Sequence, residues 1–232
     1  IDNFLQKKRK TPVVNKQKPT PFDEALSIIY YLRYVYYDTI GELYGKIKEV
    51  FGDEHFHLHE DIFQLGFWPG GDRDGNPFVT AEVTQNVASE LRLSILKEYY
   101  MHLKKINRRL SFRGVSEVLN DLMLDVYGAA FENKFIDSKV ILSKISEAEK
   151  IVKEEHNSLF IDLLQNFKDR VKIFGTHFAT LDIRQDSRIH QSVIDEIYTT
   201  LFPGKEASND EKFMALIEYS GTVDVNDFSE GT

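Results

Sequence analysis

Residues 65–78 read LGFWPGGDRDGNPF, and they set the only tryptophan of the chain, Trp68, beside two glycines, two aspartates and Arg73. The residues from Phe63 to Trp68 are predicted to form a strand. Gly70 and Gly71 then permit backbone geometry and close approach that a side chain would block. Asp74, Gly75, Asn76 and Pro77 spell a turn. Arg73 would emerge at the end of the strand, where Asp72 and Asp74 can hold its guanidinium by bidentate pairing. Read from these residues alone, the stretch is equally a tight loop with a local ion pair. A short glycine-rich loop is a weak sign of phosphate binding, and neither a Walker pattern nor a GxGxxG fingerprint is present.

On either side of this loop the sequence is helical. Thr20 is a capping residue, Pro21 suits a first helical turn, and Asp23 and Glu24 suit the positive end of the helix dipole. Phe22, Ala25, Ile29, Leu32, Tyr36, Ile40, Leu43, Ile47 and Val50 follow at three- and four-residue steps, with Gly52 as a stop. Tyr30, Tyr31, Tyr34, Tyr36 and Tyr37 form an aromatic stripe that reads as packing surface, and Gly41 and Gly45 read as points of close helix packing. Thr80 opens a second long helix, in which Val83, Val87, Leu91, Ile95, Tyr99, Leu103 and Ile106 keep the same spacing. Lys104, Lys105, Arg108 and Arg109 match its negative end. Further helices are predicted over 114–132, with Asp137 or Ser138 capping one over 138–153, and over 156–172.

The pattern changes at IFGTHFATLDIR, residues 173–184, which is short, β-branched and without helical spacing, and predicts a buried strand near 178–183. Helix returns over 187–201. PGKEASND, residues 203–210, is a turn-rich linker before a short helix ending near Tyr219, and the last dozen residues read as a frayed tail. At the strand-to-helix transition stand Asp182, Arg184, Gln185, Asp186, Arg188 and His190. Ligand groups gather at the C-terminal ends of strands in α/β folds. Asp182 and Arg184, two apart, would share one face of the strand. An arginine there can grip a phosphate or carboxylate, oriented by Asp182 or Asp186.

Composition narrows the function classes. A net charge of −8 argues against nucleic acid as the main partner. The absence of cysteine removes disulfides, thiolate nucleophiles and Cys-based zinc sites. No apolar run approaches the roughly 20 residues that span a bilayer, and IDNFLQKKRK is not a signal peptide, so a soluble, cytoplasmic protein is expected. His55, His57 and His59 alternate in HFHLH, but an extended segment spaces them awkwardly for one ion and no carboxylate completes a set. His177 and His190 read as structural. Residues 1–20 read as a basic, extended lead-in, and 21–232 as a helical domain.

FWPGGDRDGNPFVT, residues 67–80, resembles the glycine- and aspartate-rich signature of the phosphoenolpyruvate carboxylases. LDIRQDS, residues 181–187, resembles a second signature of that family, usually LDIRQES, and KPTPFDEA, residues 18–25, resembles the lead-in that precedes both. The resemblance implies a mainly α fold, with long amphipathic helices around two or so short strands of a parallel β/α barrel. It implies an activity that joins phosphoenolpyruvate and bicarbonate to give oxaloacetate and phosphate, with Mg2+ or Mn2+, in a homo-oligomer. By motif, Arg184 would bind the substrate phosphate and Trp68 would line the apolar pocket near the methylene carbon. Arg73 would shape the mouth of the site, together with Gly70, Gly71, Asp72, Asp74, Asn76, Asp182 and Gln185.

The family's catalytic histidine lies in a TAHPT-type motif, which does not occur in these residues. Its metal carboxylates and mobile glycine-rich loop belong beyond residue 232. The chain, which has no initiating Met, is therefore expected to be an internal piece, with the rest of its own polypeptide as partner and no catalytic residue or metal ligand of its own. Asp186 in place of Glu, the atypical Pro69 and Phe78, and Arg188 one place earlier than the family's arginine are departures. A non-catalytic helical interaction module, with structural loops, is the competing expectation.

Overall fold

A computed structural model describes residues 18–52, 62–74, 76–224 and 228. The histidines of HFHLH, Gly75, most of the basic lead-in and most of the tail lie outside them. The fold is mainly α, with one small parallel sheet of two strands among the described residues. Two compact units divide the chain, one of Ile1–Gly71 and Phe78–Asp182, the other of Asp72–Pro77 and Ile183–Thr232.

The first unit opens with α1 (Pro21–Tyr31). The Thr20 hydroxyl accepts the Asp23 N–H at 3.1 Å and the Asp23 carboxylate accepts the Thr20 N–H at 3.0 Å, a reciprocal capping box. A π-helical turn, Leu32–Tyr36, joins α1 to α2 (Tyr37–Phe51). The extra residue of a π turn rotates everything after it. Of the tyrosine stripe only Tyr37 enters the core, whereas Tyr30, Tyr31, Tyr34 and Tyr36 are exposed. Gly52, at φ +77°, ends α2 as expected.

The long helix α3 (Ala81–Asn107) is the spine of this unit. Thr80 caps it, accepting the Val83 N–H at 3.3 Å. Val87, Leu91, Ile95, Tyr99, Leu103 and Ile106 are buried along one stripe, which packs on α1, α4 (Val115–Phe131) and α6 (Ile161–Phe174). Between α4 and α6 lies α5 (Ser138–Glu155), whose cap is Asp137, accepting the Lys139 N–H at 2.8 Å. The start of α6 is five residues later than the predicted 156, because Asn157, Ser158 and Phe160 adopt left-handed backbone geometry that interrupts a helix. Largely buried ion pairs add specific ties between helices, Lys168 to Glu149 at 2.6 Å and Lys48 to Asp169 at 3.0 Å.

The strands β1 (Gly66–Phe67) and β2 (Thr180–Leu181) pair in parallel, Gly66 opposite Thr180 and Phe67 opposite Leu181. The Thr180 N–H donates to the Leu65 carbonyl and the Asp182 N–H to the Phe67 carbonyl, each at 2.8 Å. Both strands are shorter than the predicted 63–68 and 178–183. Phe178 sits at φ +66°, which starts β2 late.

The second unit contains α7 (Ser187–Leu201) and α8 (Asn209–Ile217), which pack on each other. Ser208 and Glu211 form a second capping box, and Lys212 on α8 pairs with Asp195 on α7 at 2.7 Å.

Candidate functional site

In the first unit, the chain leaves β1 through a turn closed by the Gly71 N–H donating to the Trp68 carbonyl at 2.9 Å. Pro69 occupies the second position of that turn, and Gly70, at φ +79°, the third. This is the signature of a type II turn, in which proline pre-sets one dihedral and glycine accepts the left-handed one. It gives the atypical Pro69 a structural reason.

The turn is held from below and from the side. A Cβ on Gly70 would lie 2.5 Å from the Val87 side chain of α3, and one on Gly71 would fall on the carbonyl oxygen of Asp182. Both glycines are therefore required by close approach, from a helix in one case and from the end of β2 in the other. The Thr84 hydroxyl on α3 donates to the Gly70 carbonyl at 2.7 Å, and Thr84 is buried. Pro69 and Gly70 are buried while the Trp68 side chain is exposed. Asp182 also stands exposed at the strand end.

The second unit brings the other half of the opening motif against the second signature. Asp72 and Arg184 form a parallel bridge, and the Arg73 N–H donates to the Arg184 carbonyl at 2.9 Å. The Asp72 carboxylate accepts the Asp74 N–H at 3.2 Å, and the Asn76 N–H reaches the Arg73 carbonyl at 3.4 Å, so this loop folds back as a turn. Arg184 is exposed and Arg73 half-buried. Gln185 accepts the Asp186 N–H at 3.0 Å through its side-chain oxygen.

Asp186 is the N-cap of α7, accepting the Arg188 N–H at 2.8 Å. Its carboxylate is also forked by the Arg188 guanidinium, with Nε at 3.1 Å and Nη2 at 2.6 Å. Those hydrogen bonds hold its carboxyl below the usual carboxylate range. Arg188 thus serves the helix end. No group of three or more His, Asp or Glu able to hold a metal ion occurs among the described residues.

The strongest electrostatic perturbation lies away from both loops, in the core of the first unit. Tyr37 and His102 share a hydrogen bond at 2.9 Å, beside Tyr99, Phe167 and the Arg170 guanidinium. Burial first, then the charges of Arg170 and Lys105, push the His102 imidazole down to about 4. Burial raises both Tyr37 and Tyr99 well above the ordinary phenol value. The Tyr99 hydroxyl donates to the Gly175 carbonyl at 2.7 Å, in the turn that leads toward β2.

Sequence reasoning placed Tyr99 only on the apolar face of the second long helix, and did not find Thr84 or His102. All three lie within α3, where they fill an ordinary amphipathic pattern, and only the polar character of Thr84 on the buried stripe sets it apart.

A family model for phosphoenolpyruvate carboxylase matches residues 1–133 and 125–220 of the chain. Among curated relatives, the phosphoenolpyruvate carboxylase of Nitrosomonas eutropha is 24% identical over 243 residues, covering 85% of this chain and 26% of its own length. That of Vibrio vulnificus is 28% identical over 235 residues, with the same coverage of 85% and 26%. That of Shewanella sediminis is 31% identical over 226 residues, covering 81% of this chain and 25% of its own length. The chain spans about a quarter of the length of the curated relatives it matches. On the strength of the family match, which takes in both signatures, the chain belongs to the phosphoenolpyruvate carboxylase family.

Proposed function

We propose that these residues are part of an enzyme that carboxylates phosphoenolpyruvate with bicarbonate, giving oxaloacetate and inorganic phosphate. The observation that carries this reading is the backbone pairing of the two signatures, the Arg73 N–H on the Arg184 carbonyl at 2.9 Å and the bridge between Asp72 and Arg184. Two loops more than a hundred residues apart in sequence are thereby made one structural element.

In that reaction a bicarbonate oxygen bonds to phosphorus as the bond from phosphorus to the enol oxygen breaks. The carboxyphosphate so formed separates into carbon dioxide and phosphate, and the enolate carbon bonds to carbon dioxide. Arg184 supplies a guanidinium that grips the phosphate by charge-assisted hydrogen bonds. Trp68 supplies an apolar wall that keeps water from the methylene carbon. By motif alone, a role in shaping the substrate's surroundings is proposed for Gly70, Gly71 and Asp182 of the first unit, and for Asp72, Arg73, Asp74, Asn76 and Gln185 of the second. The described residues gather no metal-ligand set, so the family's Mg2+ or Mn2+ is assigned no ligand and no step here.

These 232 residues do not complete the reaction alone. Two facts support this: they span about a quarter of the relatives' length, and no TAHPT motif occurs in them. The rest of the polypeptide is the proposed partner of the exposed Tyr30, Tyr31, Tyr34 and Phe135. The complete protein is proposed to work in the cytoplasm as a homo-oligomer, without nucleic acid or membrane; no described helix is long and apolar enough to cross a bilayer.

A coupled assay for oxaloacetate tests the proposal. The complete protein should consume phosphoenolpyruvate only with bicarbonate and a divalent metal, and the isolated 232 residues should show no turnover. Turnover by the isolated chain would overturn the claim of incompleteness, and a complete protein inert to phosphoenolpyruvate would overturn the assigned reaction.

A further inference from the structure

We infer that Thr84 is a positioning residue, which sets where the Trp68 indole stands by fixing the carbonyl of Gly70. The inference rests on the reading of Trp68 as a wall of the phosphoenolpyruvate pocket.

A hydroxyl carries one hydrogen, so it can donate fully to one acceptor. Thr84 has two carbonyls in reach, that of Gly70 at 2.7 Å and that of Thr80, one helical turn back, at 3.1 Å. The shorter contact is the one that leaves the helix. Threonine within a helix ordinarily bonds back to its own preceding turn. Here it reaches instead to a loop fourteen residues away, at the third residue of the turn that begins with Trp68.

Gly70 is buried, and a buried carbonyl must find a donor. Thr84 supplies one from a rigid helix. The Val87 side chain lies against Gly70 on its Cα side from the same helix, so the residue is held by a hydrogen bond to its carbonyl and by a packing contact from one turn along.

The effect on Trp68 follows from its exposure. Phe67 is 3% exposed and held by the core, whereas Trp68 is 57% exposed. Packing fixes the first ring but not the second. The direction of the Trp68 Cα–Cβ bond is set by the backbone turn it opens, and that turn is pinned by the Gly71 N–H on the Trp68 carbonyl and by Thr84 on the Gly70 carbonyl. Displacing the wall of a site by an ångström is enough to cost catalysis one or two orders of magnitude.

The experiment uses the complete protein. Thr84→Val keeps the shape and removes the donor, and Thr84→Ser keeps the donor. Thr84→Val should raise KM for phosphoenolpyruvate about tenfold, with a smaller change in kcat, and Thr84→Ser should stay within about twofold of the unsubstituted protein. In a double-mutant cycle with Trp68→Phe, the two effects should be strongly non-additive, since the hydroxyl acts through the ring.

A 5-fluorotryptophan resonance, assigned to Trp68 by its loss in Trp68→Phe, should move in Thr84→Val and not in Thr84→Ser. This readout is independent of turnover. If the complete protein proves inert to phosphoenolpyruvate, the assigned reaction falls while the fluorine shift still decides the role of Thr84. An unmoved resonance, an unchanged KM, effects that multiply independently, or a Thr84→Ser as damaged as Thr84→Val would each overturn the inference. Should Thr84→Val not fold, Thr84→Cys, whose thiol is a weak donor, takes its place with the same expected shift.

Discussion

The main-chain N–H of Arg73 donates to the carbonyl of Arg184 at 2.9 Å, next to the bridge between Asp72 and Arg184. The bond leaves the guanidinium of Arg184 out of the ladder and fixes the backbone from which it projects. A guanidinium carries the planar fork that matches a phosphate bidentately, and the bridge fixes only the backbone from which that fork projects.

Arg184→Ala in the complete protein should therefore raise KM for phosphoenolpyruvate by about a hundredfold or abolish turnover, since a charge-assisted contact worth roughly 3 kcal/mol is removed. Arg184→Lys should recover part of the loss, because the ammonium keeps the charge but not the fork. Steady-state kinetics over a range of phosphoenolpyruvate concentrations checks both. Unsubstituted kinetics in Arg184→Ala would remove the phosphate role.

Glycine positions separate by what lies above them. A Cβ on Gly71 would fall on the Asp182 carbonyl oxygen, a backbone atom that cannot swing aside. Gly71→Ala should cost about 1–3 kcal/mol of stability, as overpacking does, and should pull β1 away from the end of β2. Gly45 stands in the interior of α2 with nothing within 4 Å of the added atom. Gly45→Ala should instead stabilise by about 0.5–1 kcal/mol. Urea unfolding of the two variants should give shifts of opposite sign.

The helices were largely legible in the sequence because their information is local. The helix predicted over 187–201 is α7 at Ser187–Leu201, and Thr20, read as a capping residue, is the N-cap of α1, whereas the reciprocal bond from Asp23 and the Asp186 cap of α7 were not read. The π turn at Leu32–Tyr36 was not legible, and it changes which residues point inward: Tyr37 and Tyr44 are buried, while Tyr36, Leu43 and Val50 of the predicted stripe are exposed. Gly41 and Gly45 look alike in sequence. Gly41 faces the Arg170 guanidinium of α6 and Gly45 faces open space, a difference made by a helix far along the chain.

The candidate loops were legible as motifs, and the backbone contacts that join them were not. Strand pairing between Gly66 and Thr180, or between Asp72 and Arg184, is a long-range choice that residue patterns do not encode. The same holds for Thr84, whose partner carbonyl belongs to a loop.

The buried pair of Tyr37 and His102 gives the fold a pH dependence whose sign is fixed. In the folded chain the imidazole is held down at about 4, against an ordinary 6.5, mainly by burial. Between those values the unfolded chain binds the proton more tightly, so acid favours unfolding. The contribution is complete above pH 6.5, declines as the pH falls toward 4, and levels off below it. Its ceiling is roughly 3 kcal/mol. His102→Gln, with no titration of its own, should be less stable than the unsubstituted chain at pH 7 and should close most of that gap by pH 4.5. Urea unfolding of the pair at half-unit steps from pH 7 to 4.5 isolates the histidine from the carboxylates common to both. Parallel curves across that window would show that His102 titrates at its ordinary value.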